Sequence, residues 1–171
     1  MDNKVVHTLA RSFEELGLAT VRFNFRGVGA SGGTFDDGIG ETEDTRAVCA
    51  WARDRWQPRE LWLAGFSFGA YVAIRLASSA GSGLPRIGRL ISVAPPVQRF
   101  ALPASLQVDC PWLIVQGDQD DLVDVHAVRR WSAERVPAPR LVVLAGVDHF
   151  FHGHLHELKD ILRTQLQGAD R

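Results

Sequence analysis

Gly65-Phe66-Ser67-Phe68-Gly69 carries the most chemical information in this sequence. It reads G-x-S-x-G, directly after an apolar run and directly before a helix-like one that begins Ala70-Tyr71-Val72-Ala73. A strand-to-helix turn this tight holds its serine in a strained backbone conformation and lifts the hydroxyl clear of the sheet. Glycine on both flanks removes Cβ atoms that would collide, and the following helix sets the positive end of its dipole beside the hydroxyl. The backbone N–H of Phe68 then points to where an oxyanion would form. The chemistry this suits is attack on a carbonyl carbon. A serine acting as a plain helix N-cap between two packing glycines is the competing reading, and the strand–turn–helix setting weighs against it.

A serine hydroxyl needs a base, and the base needs an acid to orient it. On a parallel sheet both are sought at the C-terminal ends of later strands, in the chain order serine, acid, histidine. One later apolar run ends in Gln116-Gly117-Asp118-Gln119-Asp120-Asp121-Leu122-Val123. The next ends in Ala145-Gly146-Val147-Asp148-His149. Asp120 is the preferred acid. Asp118 lies beside the glycine turn and suits a bracing role, while Asp121 and Asp124 read as first-turn helix residues. All four also fit an acidic loop that caps a helix. His149, the first histidine after its strand, is the preferred base.

His152, His154 and His156 follow at alternate positions. That spacing on a helix points side chains apart, and no cysteine or regularly spaced carboxylate joins them, so no metal site and no cofactor are expected. His7 and His126 have no motif around them and read as surface residues. Phe66, Phe68, Phe150 and Phe151 are candidates to line an acyl site, although aromatics beside a sheet more often belong to the core.

These residues need a scaffold, and the periodicity supplies one. Apolar positions Val6, Leu9, Ala10, Phe13 and Leu16 predict a helix over 3–16, stopped by Gly17. Residues 18–25 read as a strand, followed by a glycine-rich loop to about Gly40. A helix is predicted over 41–55, with acidic residues in its first turn. A strand over 60–66 and a helix over about 68–79 follow, the helix ended by the Gly81–Gly83 region. Strands over 88–94, closed by Pro95 and Pro96, and over 111–116 come next. A helix near 123–135, a strand over 140–145 and a last helix over about 154–167 complete the pattern. Strands that are short continuous apolar runs, alternating with helices, predict an α/β fold in one domain, 1–171. Its sheet would be mostly parallel, of about five strands, with helices on both faces. The 95–110 connection is too short for a lid domain, so the site should be open.

Gly27-Val28-Gly29-Ala30-Ser31-Gly32 matches G-x-G-x-x-G and follows a strand-like run. A dinucleotide fingerprint opens directly into a helix, whereas here more loop follows, so nucleotide binding is not expected. A net charge of −1 gives no reason to expect nucleic acid. Cys49 and Cys110 lie in apolar segments without CxxC spacing and read as buried, reduced thiols. No signal peptide and no run of about 20 apolar residues is visible, so a cytoplasmic protein away from membranes is expected.

Together, Phe23-Asn24-Phe25-Arg26-Gly27-Val28-Gly29-Ala30-Ser31-Gly32, the turn around Ser67, Gly117-Asp118-Gln119-Asp120 and Asp148-His149-Phe150-Phe151-His152-Gly153 resemble the α/β-hydrolase superfamily. The resemblance is narrower to its small lidless bacterial members, often described as dienelactone-hydrolase-like. It implies the α/β-hydrolase fold, with Ser67 as nucleophile, Asp120 as acid and His149 as base. Dienelactone hydrolases proper use cysteine as nucleophile, so their substrate does not carry over to a chain with serine. The resemblance also implies further strands, and a His-Pro, glycine-containing loop with a second oxyanion N–H, ahead of Met1. The chain is therefore expected to be N-terminally truncated or to have had its start assigned too late. Hydrolysis of a small-molecule carboxylic ester or thioester through an acyl-enzyme is the leading expectation, an activity of the carboxylesterase or thioesterase type. A non-catalytic binding module of the same fold and an amide-cleaving enzyme are its rivals.

Overall fold

Period-2 alternation in the central strands divides the core into two layers, one on each face of a sheet. The computed structural model describes residues 3–79, 83–102 and 106–166. Its elements are α1 (Lys4–Glu15), α2 (Ile39–Trp56), β1 (Glu60–Phe66), α3 (Phe68–Ser78), β2 (Arg86–Val93), β3 (Trp112–Gly117), α4 (Val125–Ala133), β4 (Arg140–Leu144) and α5 (Leu155–Leu166). The four strands pair in parallel in the order β1-β2-β3-β4. Ile91, Val93, Leu113 and Val115 turn to one face, where they pack with Val5, Leu9 and Phe13 of α1 and Leu158 and Leu162 of α5. Leu90, Trp112 and Ile114 turn to the other, against Ile74 and Leu76 of α3 and Val128 of α4.

Helix ends follow local chemistry. The Asn3 side chain accepts the Val6 N–H at 3.1 Å to start α1, and Gly17 at φ +81° closes it. Asp124 caps α4 by accepting the His126 N–H at 2.9 Å. α3 ends at Ser78; of the predicted Gly81–Gly83 stop, all but Gly83 lies outside the described residues. Cys49 and Cys110 are buried and unpaired with each other, and burial pushes the Cys49 thiol up to about 11. No described helix is long and apolar enough to cross a membrane.

One predicted element is corrected. Residues 18–25 form no strand, so the sheet has four described strands where about five were expected. Among the described residues, none of the N–H groups of residues 19–24 donates to a backbone carbonyl. A cleft of about 890 Å³ separates this segment from β1, and residues 18–23 and 60–66 line its two sides. Strand composition is satisfied there, but a ladder needs a partner backbone about 4.8 Å away, and no described strand lies beside it.

The β2–β3 connection, 94–111, carries no helix or strand among its described residues. The turns that follow the C-terminal ends of β1, β3 and β4 lie along one rim of the sheet.

Candidate active site

The turn out of β1 is under strain. Ser67 sits at φ +51° and ψ −120°, a backbone region that residues with a Cβ rarely adopt. Its N–H donates to the Val93 carbonyl at 2.9 Å, which ties the turn to the end of β2. Gly65 is obligatory: a Cβ there would lie 2.2 Å from the Gly69 carbonyl oxygen. The expected crowding at Gly69 is absent, since a Cβ there would meet only the Phe25 ring, at 4.0 Å. Ser67 occupies the N-cap position of α3 but makes no side-chain capping bond, so its hydroxyl is free for another partner.

That partner is His149. Its Nε2 lies 3.0 Å from Ser67 Oγ, and its Nδ1 lies 2.8 Å from Asp120 Oδ2. The structure thus joins the three preferred residues in one hydrogen-bonded chain. The ionised Asp120 can only accept, so Nδ1 carries a proton and Nε2 faces the serine as an acceptor. Both side chains are almost wholly buried, with 3 % of His149 and none of Asp120 exposed. Phe66 and Phe150 flank the imidazole at ring distances of 5.0 and 5.1 Å.

Asp120 is surrounded by donors. Its Oδ1 accepts the N–H groups of Leu122 and Val123 at 2.9 and 2.8 Å. Its Oδ2 accepts the Gln116 amide at 2.9 Å as well as His149. Burial pushes this carboxyl up, but the bonds from His149, Val123, Gln116 and Leu122 outweigh it and hold the group below its ordinary value. Gln116 is itself fully buried, on β3. Its positioning role was not drawn from the sequence, although a polar residue ending the apolar run Trp112-Leu113-Ile114-Val115 was the available signal.

The remaining candidates have other partners. Asp118 accepts the Gly146 N–H at 2.7 Å and braces the loop that carries His149, as its place beside the turn suggested. Asp121 is exposed. His152 pairs with Asp148 at 2.6 Å and His154 with Glu157 at 2.7 Å, while His7, His126 and His156 are exposed. Among the described residues, no group of three or more His, Cys, Asp or Glu side chains is arranged to hold a metal ion.

A cleft of about 470 Å³ opens on Ser67 and His149, walled by Phe35, Phe68, Pro96, Arg99, Phe100, Leu122 and Val123. Of the four phenylalanines considered for an acyl site, Phe68 alone lines this cleft, while Phe66 together with Ser67 and Phe68 lines the larger cleft beside β1. Phe66 and Phe151 are core residues, and Phe150 lies outside the cleft against His149. Phe35 and Phe100 take their places, each 5.4 Å from the Phe68 ring. The Phe68 N–H donates to no described residue and lies at the first turn of α3, beside Ser67.

The glycine-rich loop that brings Phe35 here is clamped from α2. Arg26 makes a two-pronged pair with Asp44 at 2.8 and 2.7 Å, and the buried Glu41 accepts the N–H groups of Asp36 and Gly38, both at 2.9 Å. A Cβ at Gly40 would strike the Arg26 guanidinium. This loop holds a site wall, and its G-x-G-x-x-G stretch is followed by further loop up to the start of α2 at Ile39.

The chain is similar to known proteins. The family described as X-Pro dipeptidyl-peptidase (S15 family) matches residues 2–101. An uncharacterized protein of Rickettsia prowazekii is 31% identical, over 97% of this chain and 72% of its own length. Among solved structures, an alpha-beta serine hydrolase homologue from Coxiella burnetii is 49% identical with a TM-score of 0.87, over 97% of this chain and 77% of its own. A serine hydrolase without lid from Xanthomonas campestris is 44% identical with a TM-score of 0.91, over 98% and 74%. The chain therefore belongs to the S15 family, and with it to the α/β-hydrolase superfamily, among its lidless serine-hydrolase members.

Proposed function

We propose that this protein hydrolyses carboxylic esters or thioesters through an acyl-enzyme on Ser67. The observation that supports it is the unbroken chain Ser67 Oγ–His149 Nε2, His149 Nδ1–Asp120. His149 takes the Ser67 proton as Oγ attacks the carbonyl carbon. The oxyanion is held by the Phe68 N–H, and Asp120 keeps the imidazole oriented and stabilises its charged form. His149 then gives its proton to the departing alkoxide or thiolate. A water molecule, deprotonated in turn by His149, attacks the acyl carbon and frees Ser67.

The family description favours a second reading, release of a dipeptide from a peptide N-terminus. Such a substrate brings an ammonium group to the site. The fixed charge lining this cleft is the cation Arg99, which has the wrong sign for it. Ester cleavage is therefore the reading retained. Fluorophosphonate labelling that requires both Ser67 and His149, with turnover of a short p-nitrophenyl ester, is the expected result. Turnover of Gly-Pro-p-nitroanilide in its place would move the assignment to the peptidase. Folded protein that neither labels nor turns over would make it a binding module.

A further inference from the structure

We infer that the cleft selects esters carrying an anionic group near the scissile bond, and that Arg99 is the residue that reads it. The inference rests on the hydrolase reading above and adds a substrate class to it.

The cleft wall is otherwise apolar. Phe35, Phe68, Pro96, Phe100, Leu122 and Val123 surround the reacting pair, and Arg99 is the permanently charged side chain among them. Its backbone is fixed. Pro95 and Pro96 restrict the chain leaving β2, and the Val97 N–H donates to the Pro95 carbonyl at 2.8 Å. The N–H groups of Arg99 and Phe100 both donate to the Pro96 carbonyl, at 3.0 and 3.4 Å. Phe100 is anchored in turn, stacked on Tyr71 at 4.7 Å. Arg99 thus projects from a pinned turn.

Among the described residues its charge has no ion-pair partner: the ion pairs of arginine there involve Arg11, Arg26, Arg46, Arg53, Arg135 and Arg163. Two acids of the neighbouring 120–124 turn have partners of their own. Asp120 is buried among its four donors, and Asp124 caps α4 while its own N–H donates to Gln98, the neighbour of Arg99. An exposed guanidinium beside an apolar acyl cleft offers a planar fork to a carboxylate or sulfonate and gains nothing from a neutral ester. Because Arg99 is exposed, the contribution is modest and falls mainly on KM.

Two matched ester pairs test this. p-Nitrophenyl 4-carboxybenzoate and its methyl ester differ by one charge on the acyl side, and 4-acetoxybenzoate and its methyl ester by one charge on the leaving group. In each, the rigid para geometry prevents the carboxylate from attacking its own ester. Intrinsic reactivity cancels when each ratio of charged to neutral kcat/KM is compared between wild type and variant. The expected result is that Arg99→Met lowers this ratio about three- to fivefold in at least one pair, through KM, and that Arg99→Lys restores part of it. Added salt should shrink the wild-type preference. Ratios unchanged in both pairs would overturn the assignment. Fluorophosphonate labelling of Ser67 is run on the same samples. Labelled enzyme with unmoved ratios removes Arg99 alone, and unlabelled, inactive enzyme removes the hydrolase reading with it.

Discussion

The two sides of Ser67 are built differently. On the acid–base side, the ends of β2, β3 and β4 hold His149 and Asp120 in place. Every strand there is paired, and the Asp120 carboxylate has four donors. On the opposite side, residues 18–25 make no ladder bonds to a described strand, and the loop beyond them is fixed by side chains, chiefly Arg26, Asp44 and Glu41. The Ser67–His149–Asp120 chain is thus supported by backbone pairing and burial, and the cleft wall at Phe35 by a clamp of partly and fully buried charged side chains. The difference predicts that changes on the first side cost chemistry, while changes on the second cost binding.

The sharpest way to break this comparison is at the reacting atoms. Ser67→Ala should abolish fluorophosphonate labelling and lower ester turnover by about 10⁴-fold or more, with His149→Ala close behind and the double variant no worse than either. Additive losses would mean that the two residues do not act as one unit.

Asp120→Asn comes next. All four groups facing Asp120 are donors or carry the His149 proton, so the NH₂ of an asparagine must face one of them. Turnover should fall by about 10³- to 10⁴-fold, because the imidazole loses its orientation. The pH dependence has a definite sign. This carboxyl is held below its ordinary value of 3.8, so its contribution to stability is complete above that value and is lost as pH falls through the depressed one. Melting temperatures of wild type and Asp120→Asn should differ by a constant amount between about pH 7 and pH 5 and converge only below about pH 4. Convergence at neutral pH would show that the carboxylate is not charged where the geometry places it.

How much of this was legible in the sequence follows the same division. Ser67, Asp120 and His149, which the structure brings together, can be singled out in the sequence because each follows an apolar run at a turn, and a buried parallel strand is a local signal. Residues 18–25 failed as a strand because Leu18 to Phe25 has the right composition, but pairing is decided by a neighbour that composition does not contain. The wall of the smaller cleft was misread at three of its four candidate phenylalanines for a related reason. Phe66 and Phe151 are near Ser67 and His149 in sequence yet are buried in the core, Phe66 on β1 and Phe151 in the turn that follows His149, whereas Phe35 and Phe100 arrive from distant loops. Arg26–Asp44 spans 18 positions, and nothing in its spacing marks it as a pair.

Gln116 gives a smaller effect on the same side. Gln116→Leu removes one donor to Asp120 and also a buried amide oxygen that has no partner, so losses and gains in stability partly offset. We expect turnover to fall about tenfold with little change in melting temperature. Gln116→Glu should instead move the acidic limb of the rate profile to higher pH, since a second carboxylate disfavours ionisation of the first. A purely structural role would move the melting temperature and leave the pH profile where it was.

The smallest effect belongs to the opposite side and tests the comparison most directly. Arg26 and Asp44 are each about one-third exposed, so their pair is partly screened by water. Its work is geometric: it holds the loop that sets Phe35 against Phe68. Arg26→Met and Asp44→Asn should each raise KM for a neutral ester about threefold, leave kcat near wild type, and in combination do no more than either alone. Amide exchange should quicken over 27–37 in both variants and stay unchanged over β2 and β3. A fall in kcat to match the rise in KM would mean that the clamp reaches the Ser67–His149 pair. The two sides of the site would then be one mechanical unit.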